Sequence, residues 1–140
     1  MIVELFAPDG YWKIPEAERV LRNTACGAGS GIGDLVVPDS VFGIRVTEVC
    51  RIHDYMYSVG ETEEDRLIAD RVMLNNLLRV VEEAKSKCKI PVWCTFLATI
   101  RRYRAMTYYT AVRNFGGPAF WKEKNSPSEI NGVLIDSDYL

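Results

Sequence analysis

One stretch of the sequence decides the fold: residues 49–65, which read VCRIHDYMYSVGETEED. From about Ile44 the pattern is helical, because one face carries residues at steps of three and four: Val46, Val49, Cys50, His53 and Tyr57. Gly60 is a typical helix stop. Thr62 suits the cap of a second helix, whose first turn holds acidic residues that the helix dipole favours. Since only two or three residues separate the two helices, they are predicted to pack antiparallel.

The rest of the chain adds one more long helix. The second helix is predicted to run to about Lys85, with a broad face formed by Leu67, Asp70, Leu74, Leu77, Leu78 and Val81. A third helix begins at Pro91, which suits a first helical turn, and ends near Gly116. It is expected to pack against the first two helices. With little or no strand signal, the sequence predicts an all-α fold.

The remaining segments are short or irregular. Residues 14–23 have the spacing of a short helix, residues 24–40 read as a glycine-rich loop, and the polar tail at about 118–140 is predicted to be irregular. The length and a hydrophobic content of 48 % fit a single domain over residues 1–140, with its recognisable core at about 22–115.

The bulk properties exclude some classes of function. A net charge of −2, from 17 basic and 19 acidic side chains, gives no electrostatic reason to expect nucleic-acid binding. No apolar run approaches the roughly 18–20 residues of a transmembrane helix. The N-terminus has neither a basic region nor a sustained apolar region, so no signal peptide is visible.

His53 is the only histidine, so imidazole chemistry at neutral pH has one position in this chain. Tyr57 lies four residues on and shares its helix face, whereas Asp54 is rotated by about 100° and serves a different partner. In an antiparallel hairpin, Asp70 comes back opposite His53, where it would hold one ring nitrogen and leave the other as a base. The alternative is a structural histidine, with Asp70 paired to an exposed arginine such as Arg66.

A glycine-rich loop, residues 26–33, precedes the histidine helix and reads CGAGSGIG. Closely spaced glycines present backbone carbonyls at little steric cost. Carbonyl oxygens together with one carboxylate suit a hard cation such as calcium, and Asp54 is the candidate carboxylate. The ion would polarise an ester carbonyl while a loop N–H holds the developing oxyanion. These residues therefore indicate a hydrolytic site.

Three ordered motifs resemble those of the phospholipase A2 superfamily. Residues 50–57 resemble its Cys-x-x-His-Asp-x-x-Tyr core, and residues 26–29 are similar to its Cys-Gly-x-Gly calcium loop. Residues 69–71, Ala-Asp-Arg, are similar to the family's Cys-Asp-Arg. The resemblance covers roughly residues 22–80, and the ordered set is far more specific than His-Asp alone.

The resemblance implies calcium-dependent hydrolysis of the sn-2 ester of glycerophospholipids, with phospholipid as substrate and peripheral contact with a membrane surface. His53 would be the general base, Asp70 would orient it, and Tyr57 would hydrogen-bond to Asp70. The family's second network tyrosine would be one of three later residues: Tyr103, Tyr108 or Tyr109.

The resemblance also implies the ligands of the calcium ion. The Asp54 carboxylate and the carbonyls of Ala25, Gly27 and Gly29 would hold Ca²⁺. The N–H of Gly27 would contribute to the oxyanion site. The longer stretch between loop and histidine sets this chain apart from the familiar venom and pancreatic enzymes.

The chain looks like a compact, disulfide-poor branch, as in bacterial, fungal or viral members. The 17 residues from His53 to Asp70 leave no room for the β-hairpin that the venom and pancreatic enzymes place there. Four cysteines permit two disulfides. Cys26 and Cys50 match the family pair that ties the loop to the helix, which leaves a possible second pair, Cys88 and Cys94. Family and cysteine pairing favour a secreted or particle-associated protein.

Two other classes of function stand beside hydrolysis. One is a noncatalytic module that keeps the helical scaffold for lipid or protein contact. The other is a structural or membrane-delivery domain of a larger particle. The basic cluster at residues 101–104, Arg-Arg-Tyr-Arg, is either a solvated helix face or a contact for lipid phosphates.

Overall fold

The computed structural model describes residues 3–22, 40–41, 43–122 and 124, and these residues are mainly helical. The elements follow in chain order: α1 Asp9–Trp12, α2 Glu16–Arg22, β1 Ser40–Val41, β2 Ile44–Arg45, α3 Thr47–Val59, α4 Glu63–Ser86, α5 Pro91–Phe115 and α6 Gly117–Trp121. The mainly α class is confirmed. In the described ranges, no helix has both the length and the apolar character needed to cross a bilayer.

The turn between α3 and α4 has the predicted helix stop and cap. Helix α3 ends before Gly60, and Thr62 caps α4. The Thr62 hydroxyl accepts from the N–H of Asp65 at 3.1 Å, and the Asp65 carboxylate accepts from the N–H of Thr62 at 3.0 Å. This reciprocal capping box satisfies donors that a helix start otherwise leaves unpaired. Only three residues separate the end of α3 from the start of α4, and the two helices run antiparallel.

Helix α5 returns along α4, and contacts at both ends fix the pair. The Cys88–Cys94 disulfide closes the connection between them, as the sequence allowed. At the opposite end, Arg66 in the first turn of α4 donates to the carbonyls of Val112 and Arg113, at 3.5 and 3.2 Å. Helix α4 therefore lies between α3 and α5 and contacts both.

The main apolar core lies where these three helices meet. Its buried members are Ile44, Val46, Val49, Cys50, Met73, Leu77, Val80, Ala105, Tyr108 and Val112. Next to it, the fully buried amide of Asn76 accepts from the N–H of Phe6 and donates to the carbonyl of Phe6, both at 2.8 Å. This two-point contact holds the N-terminal segment against α4.

The start of the histidine helix was predicted wrongly. Ile44, expected in the helix, instead lies in β2, where Val41 pairs with Ile44 and Ser40 with Arg45 in an antiparallel ribbon. Gly43 has a φ of 82°, a left-handed conformation that glycine adopts readily and that a turn of this kind needs. Helix α3 begins only at Thr47. The apolar residues before it are buried as strand, which periodicity alone does not distinguish from helix.

The chain beyond α5 also departs from the prediction of an irregular tail. Residues 117–121 form α6, with Pro118 in its first turn and Phe120 only 1 % exposed. Phe120 packs edge-on against Tyr57, with ring centroids 5.2 Å apart. The aromatic side chain finds a pocket at the end of α3, and this burial stabilises the extra helical turn. The rest of the predicted tail, residues 125–140, lies outside the described residues.

Candidate functional site

The centre of the site is a buried pair of side chains from α3 and α4. The Nε2 of His53 lies 2.9 Å from the Oδ1 of Asp70, a hydrogen-bond distance. Asp70 is 0 % exposed and His53 is 7 % exposed. A buried carboxylate costs free energy unless it is paired, so the hydrogen bond to His53 offsets part of the cost of burying Asp70. The two side chains meet because α3 and α4 pack antiparallel. The structure therefore brings together the two residues that the sequence predicted to meet.

Tyr57 lies one turn after His53 and completes a chain of hydrogen bonds. Its hydroxyl donates to the Oδ1 of Asp70 at 2.6 Å, and its ring centroid lies 4.1 Å from that of His53. Burial and then the hydrogen bond to Asp70 raise the pKa of Tyr57 above its ordinary value. The hydroxyl is thus held in its protonated, donating form. The same oxygen of Asp70 serves both partners.

The chain between α5 and α6 lies close to the Tyr57 hydroxyl at Gly116. A Cβ atom on Gly116 would lie 2.4 Å from the Tyr57 hydroxyl oxygen and 2.3 Å from the carbonyl oxygen of Val112. Both distances are shorter than any real Cβ contact, so a larger residue at this position moves the hydroxyl or the end of α5. The absence of a side chain at Gly116 therefore lets the Tyr57 hydroxyl lie close to the end of α5. From the sequence, this glycine was predicted only as a helix end.

Arg66, considered from the sequence only as an exposed partner of Asp70, is buried. Its Nη1 lies 3.6 Å from Oδ2 of Asp70, the carboxylate oxygen that has no hydrogen bond among the described residues. The same guanidinium contacts the last carbonyls of α5 and donates to Glu63. Hydrogen bonding to Arg66 holds the pKa of Glu63 below its usual range. The spacing of four residues between Arg66 and Asp70 was the available signal.

The expected second tyrosine of the network is not found at the three predicted positions. Tyr103 is 76 % exposed. The hydroxyl of Tyr108 is buried without a hydrogen-bond partner, and the hydroxyl of Tyr109 accepts from Arg113 at 2.6 Å. In the described part of the chain, the cation of Arg66 faces the oxygen of Asp70 that such a tyrosine would have reached.

Asp54 follows His53 on α3, and its carboxylate takes no part in the hydrogen bonds that join His53, Asp70 and Tyr57. Burial raises the pKa of the Asp54 carboxyl to about 6, against a smaller lowering by His53. Among the described residues it has no hydrogen bond or ion pair. A half-buried carboxylate without a partner in the described part of the chain fits a cation ligand, because a bound cation would offset its desolvation.

The remaining predicted ligands fall in the glycine-rich loop. Ala25, Gly27 and Gly29 lie outside the described residues, as does Cys26, the predicted partner of Cys50. Cys50 itself stands in a disulfide. The described ranges contain no cluster of three His, Cys, Asp or Glu side chains suited to a metal. The main-chain carbonyls that the sequence predicted as ligands thus all lie outside the described residues.

The arrangement defines which atom can carry chemistry. Because Nε2 of His53 donates to Asp70, its Nδ1 is the nitrogen that can accept a proton. The Asp70 carboxylate would stabilise the imidazolium that results. A positioned base with its counter-charge is what activation of a water molecule requires.

Comparisons with protein-family models, curated proteins and solved structures found no match for this chain.

Proposed function

We propose that the protein is a calcium-dependent phospholipase A2 that releases fatty acid from the sn-2 position of glycerophospholipids. The observation that carries this proposal is the buried hydrogen-bond chain from Tyr57 through Asp70 to His53. A noncatalytic scaffold has no need to bury an ionisable pair, since apolar residues of similar volume would stabilise the same helix contact as well or better. The antiparallel α3–α4 pair would thus be the scaffold of a catalytic base.

In this mechanism Nδ1 of His53 accepts a proton from a water molecule, and the oxygen of that water attacks the ester carbonyl. Asp70 keeps the imidazole oriented and offsets the positive charge that forms on it. Tyr57 and Arg66 keep the Asp70 carboxylate in place. His53 then returns the proton to the departing alcohol oxygen. No serine or cysteine nucleophile is needed.

The calcium ion supplies electrostatic stabilisation when bound, because it polarises the ester carbonyl and offsets the charge that develops on its oxygen. Asp54 would hold it through its carboxylate, with the carbonyls of Ala25, Gly27 and Gly29. The N–H of Gly27 would donate to the same developing oxyanion. The support for this part is the carboxylate of Asp54, which has no partner among the residues that the structure describes, and the glycine pattern of the loop.

The test is fatty-acid release from phospholipid vesicles labelled separately at the sn-1 and sn-2 positions. We expect sn-2 release that requires calcium, stops in EDTA and is abolished by His53→Gln. The matched control is Ser58→Ala on the same helix, an exposed position whose hydroxyl contacts only the backbone of its own turn. Circular dichroism and thermal unfolding check that His53→Gln still folds.

Three results would contradict the proposal in whole or in part. Full activity in His53→Gln would eliminate the base. Vesicle binding without release of any fatty acid, by the wild-type protein with calcium present, would identify the noncatalytic module instead. Equal activity in EDTA would leave the base in place but eliminate calcium and the role of Asp54.

A further inference from the structure

One side of α5 is open to solvent although it is apolar. Val92, Phe96, Tyr103 and Met106 are 84, 53, 76 and 46 % exposed. They recur at steps of three, four and seven, so they share one face of the helix. The opposite face holds the buried residues of α5: Cys94, Ala98, Ala105, Tyr108 and Val112. We call the four exposed residues the α5 outer face.

The α5 outer face continues onto the connection between α4 and α5. Trp93, half exposed, stacks on Phe96 with ring centroids 5.6 Å apart, and Ile90 is 63 % exposed. The Cys88–Cys94 disulfide ties this connection to the first turn of α5. The disulfide therefore holds these exposed apolar side chains together where α4 turns into α5. Such a contiguous exposed apolar surface is typical of an interaction site.

The segment of chain that carries this surface has basic side chains and no acidic ones. Residues 85–117 contain seven of the 17 basic side chains of the chain and none of its 19 acidic ones: Lys85, Lys87, Lys89, Arg101, Arg102, Arg104 and Arg113. The whole chain has a net charge of −2, so this segment is strongly positive within an acidic protein. Glu82 and Glu83 of α4 pair with Arg102 and Lys87. They offset only part of the excess.

We propose that the α5 outer face, with Ile90 and Trp93, docks onto the surface of an anionic phospholipid bilayer. The charge is complementary to anionic headgroups, and aromatic side chains beside lysines suit the headgroup region of a membrane. A second copy of the chain would bring two positive faces together, which like charges disfavour. A nucleic acid would leave the aliphatic side chains of Ile90 and Val92 without a partner.

This surface goes beyond the proposed function, because binding here needs neither His53 nor calcium. It lies outside residues 22–80, which carry the resemblance to phospholipases A2. Ser86, where α4 ends, is 16 residues beyond Asp70, which is about 24 Å along the helix axis. The end of this surface at the α4–α5 connection is therefore far from the buried pair along α4.

The first test is sedimentation of the whole protein with vesicles of ether-linked phosphatidylglycerol and phosphatidylcholine in EDTA. Ether lipids lack the ester bond, so binding is measured whether or not the protein is a hydrolase. We expect Trp93→Gln with Phe96→Gln to weaken binding at least tenfold, because both side chains lose their insertion into the headgroup region. The matched control, Val59→Gln with Ile68→Gln, changes two similarly exposed residues of α3 and α4 and should bind as wild type.

The second test concerns charge. Replacing Lys85 at the end of α4 and Lys87 and Lys89 of the connection by glutamine should weaken binding to anionic vesicles at least tenfold at low salt, since each basic residue near the surface contributes roughly fivefold. The effect should shrink in high salt. The control replaces three exposed basic residues elsewhere by glutamine: Lys13, Arg45 and Arg71.

Three outcomes would overturn the proposal. One is equal binding to purely neutral vesicles. Another is an equal loss of binding in the control variants. The third is a dimer in solution that Trp93→Gln with Phe96→Gln dissociates, which would assign the face to a second copy. An inactive His53→Gln variant that still binds vesicles would support the docking surface whatever the outcome for hydrolysis.

Discussion

The helix pairs α3–α4 and α4–α5 are joined by similarly short connections, yet they differ in which side chains they bury and which they expose. Between α3 and α4, polar side chains are buried: His53, Asp70 and Arg66. Where α4 turns into α5, apolar side chains such as Val92 and Trp93 are exposed. Each arrangement costs free energy in the isolated protein, the first through desolvation and the second through hydration of apolar surface. The comparison separates the site that we propose for chemistry from the surface that we propose for contact.

The largest expected effect is on the buried pair. Asp70→Asn removes the negative charge that orients and stabilises the imidazolium, so we expect kcat for fatty-acid release to fall by about 10³-fold or more. KM should change little, since Asp70 does not reach the substrate. Steady-state kinetics on vesicles measures both constants. A rise in KM with kcat unchanged would mean that Asp70 shapes the binding site instead.

A smaller effect is expected from the contact between α6 and the pair. Gly116→Ala places a methyl group against the Tyr57 hydroxyl and the Val112 carbonyl, and we expect it to reduce the free energy of unfolding by about 1–3 kcal/mol. Gly117→Ala is the matched control, because a Cβ there meets nothing within 4 Å. Chemical denaturation measures both variants. Equal effects of the two substitutions would show that the close approach to Tyr57 is unimportant.

The smallest expected effect appears at alkaline pH. The pKa of Tyr57 is raised in the folded protein, chiefly by burial. The unfolded chain therefore loses this proton first, so the stabilisation is complete below a pH of about 10 and is lost as the pH rises beyond it. Tyr57→Phe should flatten this alkaline decline in the free energy of unfolding. Measured between pH 8 and pH 11 by urea denaturation, an unchanged slope in the variant would contradict the assignment.

Much of the helical framework was predictable because its signals are local. The steps of three and four fixed α3, α4 and α5, and the Thr62 cap fixed where α4 starts. The short connection then placed Asp70 opposite His53. A buried pair of this kind follows from helix geometry alone, since both partners lie on one hairpin.

What the sequence missed depends on contacts between distant segments. The burial of Phe120 and the close approach at Gly116 require the position of α6, which no local pattern reports. Arg66 was predictable as a neighbour of Asp70, but its burial depends on the end of α5. The positive segment from residue 85 to 117 was hidden because a net charge of −2 averages over the whole chain.

The two-point contact between Asn76 and Phe6 has a consequence for the order of folding. It joins residues 70 positions apart, so closing that loop costs much more conformational entropy than forming the turn at Thr62. The α3–α4 hairpin depends on local contacts and can form early, whereas the N-terminal segment attaches only after α4 has presented its buried amide. The N-terminal segment is therefore expected to attach after the α3–α4 hairpin has formed.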